Sequence, residues 1–507
     1  MDVRAPSQLP PLALRSLAAV AALKFALHLA LSSRYGFHRD EPYYVACGLE
    51  LEWCYVDHPP FVPLLARAAF ELFGPSLLAL RCLAGAASAA LVLLAGALTR
   101  ELGGAAWAQR LAALAVLGAP LFLLSGGLFQ TVVFDQVVWL AALLVFARAL
   151  REERSNRLVA LGAVIGLGLL VKHTIVLLAL STALALLFTA QRRWLATRWA
   201  WAALAIALAC AAPSLLWQAE HGWPTLAFAA ANGARAAREF PPTAFAALQL
   251  VLMGPVTAPL VILGLLHLWR HRTEEGRSPY RALALLYPLA LAPFLLRGGK
   301  PYYVGPLFPL LFAAGAVALE RIARARGWKR GLVIAPAAVV LGAAPLAWMV
   351  LPLAPRRMFA EHQDAWPHSD FREMFGWPEL VEQLAQARER LPADEREHVG
   401  VLTDSYGEAS VVTLLGAARE LPRGASSHNQ LFFHGPPRAR DGGEPRVVLV
   451  IARSRQWLER CFEEVEDAGA LEIPLGVRNE AAAKRIYICR RPRAPWSELW
   501  PALRGVG

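Results

Sequence analysis

Two adjacent carboxylates, Asp40 and Glu41, stand in the run Tyr35, Gly36, Phe37, His38, Arg39, Asp40, Glu41, Pro42, Tyr43, Tyr44. A carboxylate in this setting can take a proton from an acceptor hydroxyl or amine as that nucleophile attacks a carbon bearing a leaving group, an anomeric carbon among them. A solvated loop carrying two ordinary acids is the plain alternative. Further on, Tyr55, Val56, Asp57, His58, Pro59 and Pro60 place a histidine before a rigid turn. A cationic His58 would stabilise charge on a departing phosphate, and a neutral one would simply hydrogen-bond. Asp135 opens an apolar run, where an acid is costly and is kept for a partner or a role; capping a helix N-terminus would also keep it there. Lys172 and His173 interrupt another apolar stretch and suit an anionic lipid headgroup, although a lysine that snorkels to the interface reads the same way. In Arg297, Gly298, Gly299, Lys300, Pro301, Tyr302 and Tyr303 the glycines let the backbone approach closely and the tyrosines offer hydroxyls at headgroup depth, as an aromatic belt also would.

The elements that must position these groups are membrane helices. A chain of 507 residues with 56% hydrophobic and 18% charged residues, at mean hydropathy +0.40, is too apolar for water, and its natural solvent is lipid. A helix needs roughly 20 apolar residues to cross. The apolar runs then give about eleven spans, near residues 12–33, 77–98, 107–127, 133–149, 158–171, 174–190, 199–217, 247–268, 281–296, 303–319 and 331–352. The formal charge of +12 does not point to nucleic acid, because the arginines crowd into short connections at 151–157, 192–198, 270–281 and 321–330. That bias sets the N-terminus in the cytoplasm and the C-terminal region outside. The first run carries Arg15 and Lys24 without a small-residue cleavage site and reads as a retained helix.

Beyond the stretch 351–355 the long apolar runs stop. Residues 1–353 read as the membrane domain and 354–507 as a small extracytoplasmic α/β domain, with strands near 400–404, 446–452 and 484–489 and helices near 408–416 and 455–468. It holds no GxGxxG or P-loop and hence no sign of a nucleotide site. Six cysteines show no CxxC pattern, so a zinc site is not expected. Cys461 and Cys489 are either a disulfide or two buried thiols, and Cys47 and Cys54 raise the same question. A divalent metal near Asp57 and His58 would have two ligands, too few for a coordination shell.

Together these segments resemble the polyprenyl-phosphate-dependent GT-C glycosyltransferases, which include lipid A aminoarabinose transferases and protein O-mannosyltransferases. The Asp-Glu pair after span one, the acid opening span four, the lysine ending span five and the Gly-Lys-Pro-Tyr-Tyr stretch before a late span occur in that family's order. Bacterial members share Pro213, Ser214, Leu215, Leu216, Trp217 and Gln218, then His221, Gly222, Trp223 and Pro224, and in the outer domain Tyr406, Gly407, Glu408, Ala409 and Ser427, His428, Asn429. The resemblance implies an α-helical polytopic inner-membrane protein, a lipid-linked sugar donor, an extracytoplasmic glycan, lipid or protein acceptor, and no required cofactor. It makes Asp40 the base, Glu41 its neighbour and Asp135 a second acid. His58 stands where the aminoarabinose enzymes have a lysine near the phosphate, which leaves Lys172, Lys300 and Tyr302 as better phosphate holders. Tyr303, Trp217 and His221 are acceptor-side or structural. A lipid-linked-sugar flippase is the rival from another class, and a glycan-binding assembly factor is a third reading. The gathering of polar residues at one membrane face, not the midplane, favours the enzyme.

Overall fold

The computed structural model describes residues 9–272, 276–366 and 370–505. The chain forms two compact units. The first comprises Met1–Leu31, Arg81–Glu220 and Asn232–Leu351, and the second Ser32–Leu80, His221–Ala231 and Pro352–Gly507.

The first unit is helical, and all eleven apolar stretches fold as helix, but the expected count of eleven full spans does not emerge. Among the described residues six helices are long and apolar enough to cross a membrane, or up to nine if each bent pair makes one span. Proline and glycine stand at two of the three breaks. The helices Ala106–Gly118 and Pro120–Gly126 meet at 62°, where Pro120 has no N–H to continue the ladder. The segments Pro242–Met253 and Pro255–Arg270 meet at 84° around Gly254, whose φ of 83° suits glycine. The pair Ile175–Leu187 and Ala190–Ala196 turns by 114°. Ser155–Leu169 is a shorter apolar helix, and Arg281–Arg297 has 17 residues with arginine at both ends.

Without a hydrophobic drive between helices in lipid, close backbone approach supplies much of the packing. The helices Ala258–Arg270 and Phe308–Ala325 cross at two glycines. A Cβ on Gly264 would lie 2.3 Å from the Leu311 carbonyl oxygen, and one on Gly315 would lie 2.0 Å from that of Leu260. Two buried ionisable groups are matched by polar neighbours. The Lys24 ammonium donates to the carbonyl of Val116 at 3.1 Å, and Glu101 accepts from Arg148 at 3.4 Å and Arg151 at 2.5 Å.

The second unit is built on a five-stranded sheet of β1 (Val399–Thr403), β2 (Gly424–Ser426), β3 (Val447–Ala452), β4 (Phe462–Ala470) and β5 (Arg485–Pro492), in the order β2-β1-β3-β5-β4. Strands β1, β2 and β3 run parallel, and β5 and β4 add antiparallel. Alternate side chains serve opposite faces. Val399, Val401, Leu449 and Ile451 pack under the helix Trp377–Glu389, whereas Leu402, Val448, Val450 and Tyr487 meet Leu458, Trp496 and Trp500. The result is an α/β sheet covered on both faces. The strands expected near 400–404, 446–452 and 484–489 and the helix near 408–416 are present. The helix expected over 455–468 is not: it stops at Cys461, and Phe462–Ala470 is the edge strand β4. Its acids pair across the ladder, Asp467 with Arg485 at 2.8 Å and Glu464 with Arg491 at 2.6 Å, so sheet pairing overrides a helix-favouring composition.

Replacing Gly315 with valine is expected to lower the melting temperature of the detergent-solubilised protein by several degrees, since overpacking costs about 1–3 kcal/mol. Gly233→Ala, with nothing within 4 Å of the added carbon, should leave it unchanged. Equal melting of Gly315→Val and the wild type would contradict this crossing.

Candidate active site

In the first unit Asp135, Lys172, Tyr302 and Tyr303, singled out from the sequence, come together. Asp135 lies in the first turns of the helix Thr131–Glu152 and is buried. The Trp139 indole N–H, one turn on, donates to its Oδ1 at 3.0 Å, and the Thr174 hydroxyl donates to Oδ2 at 2.7 Å. Thr174 belongs to the break between the helices Leu158–Leu169 and Ile175–Leu187, the same break that holds Lys172. The Lys172 ammonium stands 5.1 Å from the ring centre of Tyr302 and 6.0 Å from that of Tyr303, within cation–π reach. It is also close enough to Asp135 for the two charges to act on each other. Lys300 precedes the 3-10 turn Pro301–Leu307. That turn is aimed by Gly298, whose φ is 77° and whose added Cβ would lie 2.4 Å from the Phe240 carbonyl oxygen, and by Gln249, which donates to the carbonyl of Pro301 at 2.9 Å. Trp217 is buried on the helix Arg198–Glu220.

The second unit gathers Asp40, Glu41, Asp57 and His58. Tyr35 anchors the segment before the acids: it is buried, its hydroxyl donates to the Ala354 carbonyl at 2.9 Å, and its ring packs on Phe359, Phe371 and Phe375. The helix Asp40–Leu49 follows. Glu41 is fully buried and accepts the His38 backbone N–H at 2.8 Å, fixing the helix start as a capping carboxylate does. Asp40 is 24% exposed at its side chain. Its Oδ1 accepts from the Tyr406 hydroxyl at 2.8 Å, with Arg39 Nε and His38 Nδ1 each 3.7 Å from the carboxylate. A second tyrosine–carboxylate pair lies alongside. The Tyr43 hydroxyl donates to Asp57 at 2.8 Å, and the Tyr43 and Tyr406 rings are 4.5 Å apart.

His58 sits among Tyr43, Tyr44 and Tyr55, with ring centres 5.6, 5.1 and 4.8 Å away. Its Nδ1 is 3.1 Å from the Pro59 carbonyl oxygen, which makes Nδ1 the protonated nitrogen of a neutral ring. Burial pushes its pKa below the ordinary histidine range, against the pull of Asp57 and Asp40. A neutral His58 therefore offers a phosphate a lone pair at Nε2 and no charge. His221 packs edge-on against Phe433 at 5.3 Å.

Among the described residues no group of three or more His, Cys, Asp and Glu side chains is placed to hold a metal ion. All six cysteines are free thiols. Burial raises the Cys489 thiol to about 12, which makes it a poor nucleophile. Trp139 and Thr174 were not singled out from the sequence. Trp139 had a signal, lying four residues after an acid on one helix. Nothing local ties Tyr406 to Asp40, 366 positions away.

The buried neutral His58 has a pH signature. Folding favours its uncharged form, so its contribution to stability is present above the unfolded value of about 6.5 and is lost as the pH falls below it. Thermal melts between pH 7.5 and 5 are expected to show an acid destabilisation that shrinks in His58→Asn, and ¹⁵N shifts a neutral ring at pH 7. A charged ring at pH 7 would contradict the geometry.

Residues 57–217 match the family model described as dolichyl-phosphate-mannose-protein mannosyltransferase. Among solved structures, the chain is similar to ArnT from Cupriavidus metallidurans bound to undecaprenyl phosphate, at 15% identity and TM-score 0.63 over 94% of this chain and 97% of that one. For the apo state of that ArnT the values are 13% and 0.58 over the same shares. The oligosaccharyltransferase of Archaeoglobus fulgidus, tethered with an acceptor peptide, matches at 14% and 0.49 over 81% of this chain and 64% of that one, too distant to add to the fold argument. No curated protein matches the sequence at a significant level. The chain thus carries a segment that matches a mannosyltransferase-type family model and shares the ArnT fold along nearly its whole length.

Proposed function

We propose that this protein moves a sugar from a polyprenyl-phosphate donor to an acceptor on the outer face of a bacterial inner membrane, by one displacement with inversion, with Asp40 as general base. Asp40 takes the proton from the acceptor hydroxyl or amine as that atom bonds to the anomeric carbon. The bond from that carbon to the phosphate oxygen breaks, and its electron pair leaves with polyprenyl phosphate. The acceptor is a glycolipid, polysaccharide or protein.

The observation that carries the reading is the first unit's cluster: Lys172 held over the tyrosine faces of Tyr302 and Tyr303, in a break between apolar helices, beside a buried carboxylate fixed by two donors. A cation at the end of apolar helices fits a ligand whose tail dissolves in lipid and whose phosphate does not. The fold it shares is that of an enzyme solved with undecaprenyl phosphate. In this assignment Lys172, Lys300 and Tyr302 hold the phosphate, with Tyr303 behind Tyr302. Asp135 keeps Lys172 charged and orients the sugar, and Glu41 holds the turn that presents Asp40. His58, as a neutral ring, is a weaker phosphate partner than Lys172. The arginine-rich connections support an N-terminus in the cytoplasm and an α/β domain, 354–507, outside.

The test is transfer of radiolabelled sugar from a panel of polyprenyl-phosphate donors into a membrane extract by purified protein. Asp40→Asn, folded to the same degree, is expected to lose about 100-fold or more, the scale of a general base. Lys172→Ala should weaken use of the donor about tenfold or more through loss of a charge-assisted contact. An Asp40→Asn variant as active as wild type would remove Asp40 from the mechanism.

A further inference from the structure

In an open α/β sheet, the crevice at the carboxyl ends of the parallel strands, where the strand order reverses, is the usual ligand site. Here that point lies between β1 and β3: the chain leaves β1 toward β2 on one side and returns to β3 on the other. The residues following β1 are Asp404, Ser405 and Tyr406, and those following β3 are Arg453 and Ser454. The Arg453 backbone N–H donates to Asp404 at 3.0 Å, closing one side of the crevice. What occupies it is the segment of this same unit that carries Asp40.

Three contacts make that grip. The Tyr406 hydroxyl donates to Asp40 Oδ1 at 2.8 Å. Arg39, the neighbour of Asp40, pairs with Glu480 at 2.5 Å, and its guanidinium lies 5.7 Å from the centre of the Tyr406 ring. The Tyr406 ring is held between Tyr43 at 4.5 Å and His428 at 5.1 Å. The Tyr406 backbone is set by a helix whose N-cap, Ser405, accepts the Gly407 N–H at 3.3 Å. Below it, Lys484 and Glu408 form an ion pair of 2.6 Å, 5% and 0% exposed.

We infer that Tyr406 is a positioning residue for the reaction, and that the outer α/β domain uses its ligand crevice to hold and tune the base Asp40 in place of binding a separate ligand there. The inference rests on the assignment of Asp40 made above. A phenol can do this job because it donates at every working pH: burial, with Asp40 and Glu480, holds the Tyr406 hydroxyl well above its ordinary pKa, outweighing Arg39. Burial opposes the charge on Arg39, but Asp40, Glu480 and Glu373 keep it protonated. A hydrogen bond donated to a carboxylate favours its charged form, so its removal raises the pH at which the base becomes competent. The groups facing Asp40 and Tyr406 are His38 and Arg39 from the acid's own segment, Asp57 and His58 from the loop beside it, and Glu373, His428 and Glu480 from the α/β domain. The histidines remain in the variant, so the shift is read as a difference.

The experiment is the pH profile of sugar transfer by full-length Tyr406→Phe in detergent or nanodiscs, with wild type and Asp40→Asn alongside. Phenylalanine keeps the ring packing and removes one hydroxyl. The expected result is a folded protein whose kcat falls about tenfold with the donor KM unchanged, and whose acid limb moves up by about one pH unit, the order of a lost charge-assisted hydrogen bond. Glu480→Gln, which frees Arg39 to lean on Asp40 and removes a negative charge beside it, should move the limb down, and serves if Tyr406→Phe does not fold: an unmoved limb there overturns the grip. An unshifted limb in a folded variant overturns the positioning role while a dead Asp40→Asn leaves the base assignment standing. An Asp40→Asn as active as wild type overturns the base assignment itself and this inference with it.

Discussion

Taking a charge out of water costs several kcal/mol after relaxation, and that penalty governs where every ionisable group of this chain can be. Among the helices it is met locally. Lys24 reaches a backbone carbonyl, Glu101 takes two arginines, and Asp135 takes an indole and a hydroxyl. Lys24 and Glu101 are matched by groups fixed in the fold, which suits a structural role. Lys172 differs in kind: its ammonium lies over the faces of Tyr302 and Tyr303, which stabilise a cation. On the proposed reading, the same penalty separates the residues that hold the helices together from the one that meets a phosphate.

With Asp40 as the proposed base, the second unit solves a related problem with a different donor. A general base must stay charged at the working pH yet stand in a site that excludes enough water for its charge to matter. A tyrosine hydroxyl aimed at the carboxylate supplies one strong donor without adding a positive charge, and Arg39 is kept from collapsing wholly onto Asp40 by its bond to Glu480. The parallel arrangement of Tyr43 on Asp57 shows the same device used twice in contact, with the two rings tilted against each other. His58, among three tyrosines and bonded through Nδ1 to a carbonyl, is consistent with a site that orders a loop and not with one that delivers positive charge.

Hydropathy made the helices readable, because twenty apolar residues in a row have few other uses, and the acids and lysine that interrupt them stood out for the same reason. The bends were harder. Pro120 and Gly254 look like ordinary punctuation until the helices on either side are seen to turn at them. In the α/β domain, β1, β3 and β5 announced themselves by β-branched runs, but β2 has three residues, too few for a period. Its Gly424 matters through the close approach of the helix Tyr406–Leu415, where a Cβ would meet the Ala409 carbonyl oxygen at 2.4 Å. Strand β4 was misread because its alternation is masked by acids whose arginine partners come from a strand twenty or so positions later. Asp40 could be named from its neighbours in sequence, whereas the tyrosine that holds it depends on a tertiary contact that no local pattern encodes.

The account stands or falls on whether the lipid-linked sugar is cleaved. Purified protein in sealed vesicles would be given a polyprenyl-phosphate sugar labelled in both the sugar and the lipid, together with membrane acceptor. The expected result is separation of the labels, with sugar on the acceptor and free polyprenyl phosphate in the bilayer. Passage of the doubly labelled lipid across the membrane with the sugar still attached would contradict the transferase and make the chain a carrier of its donor.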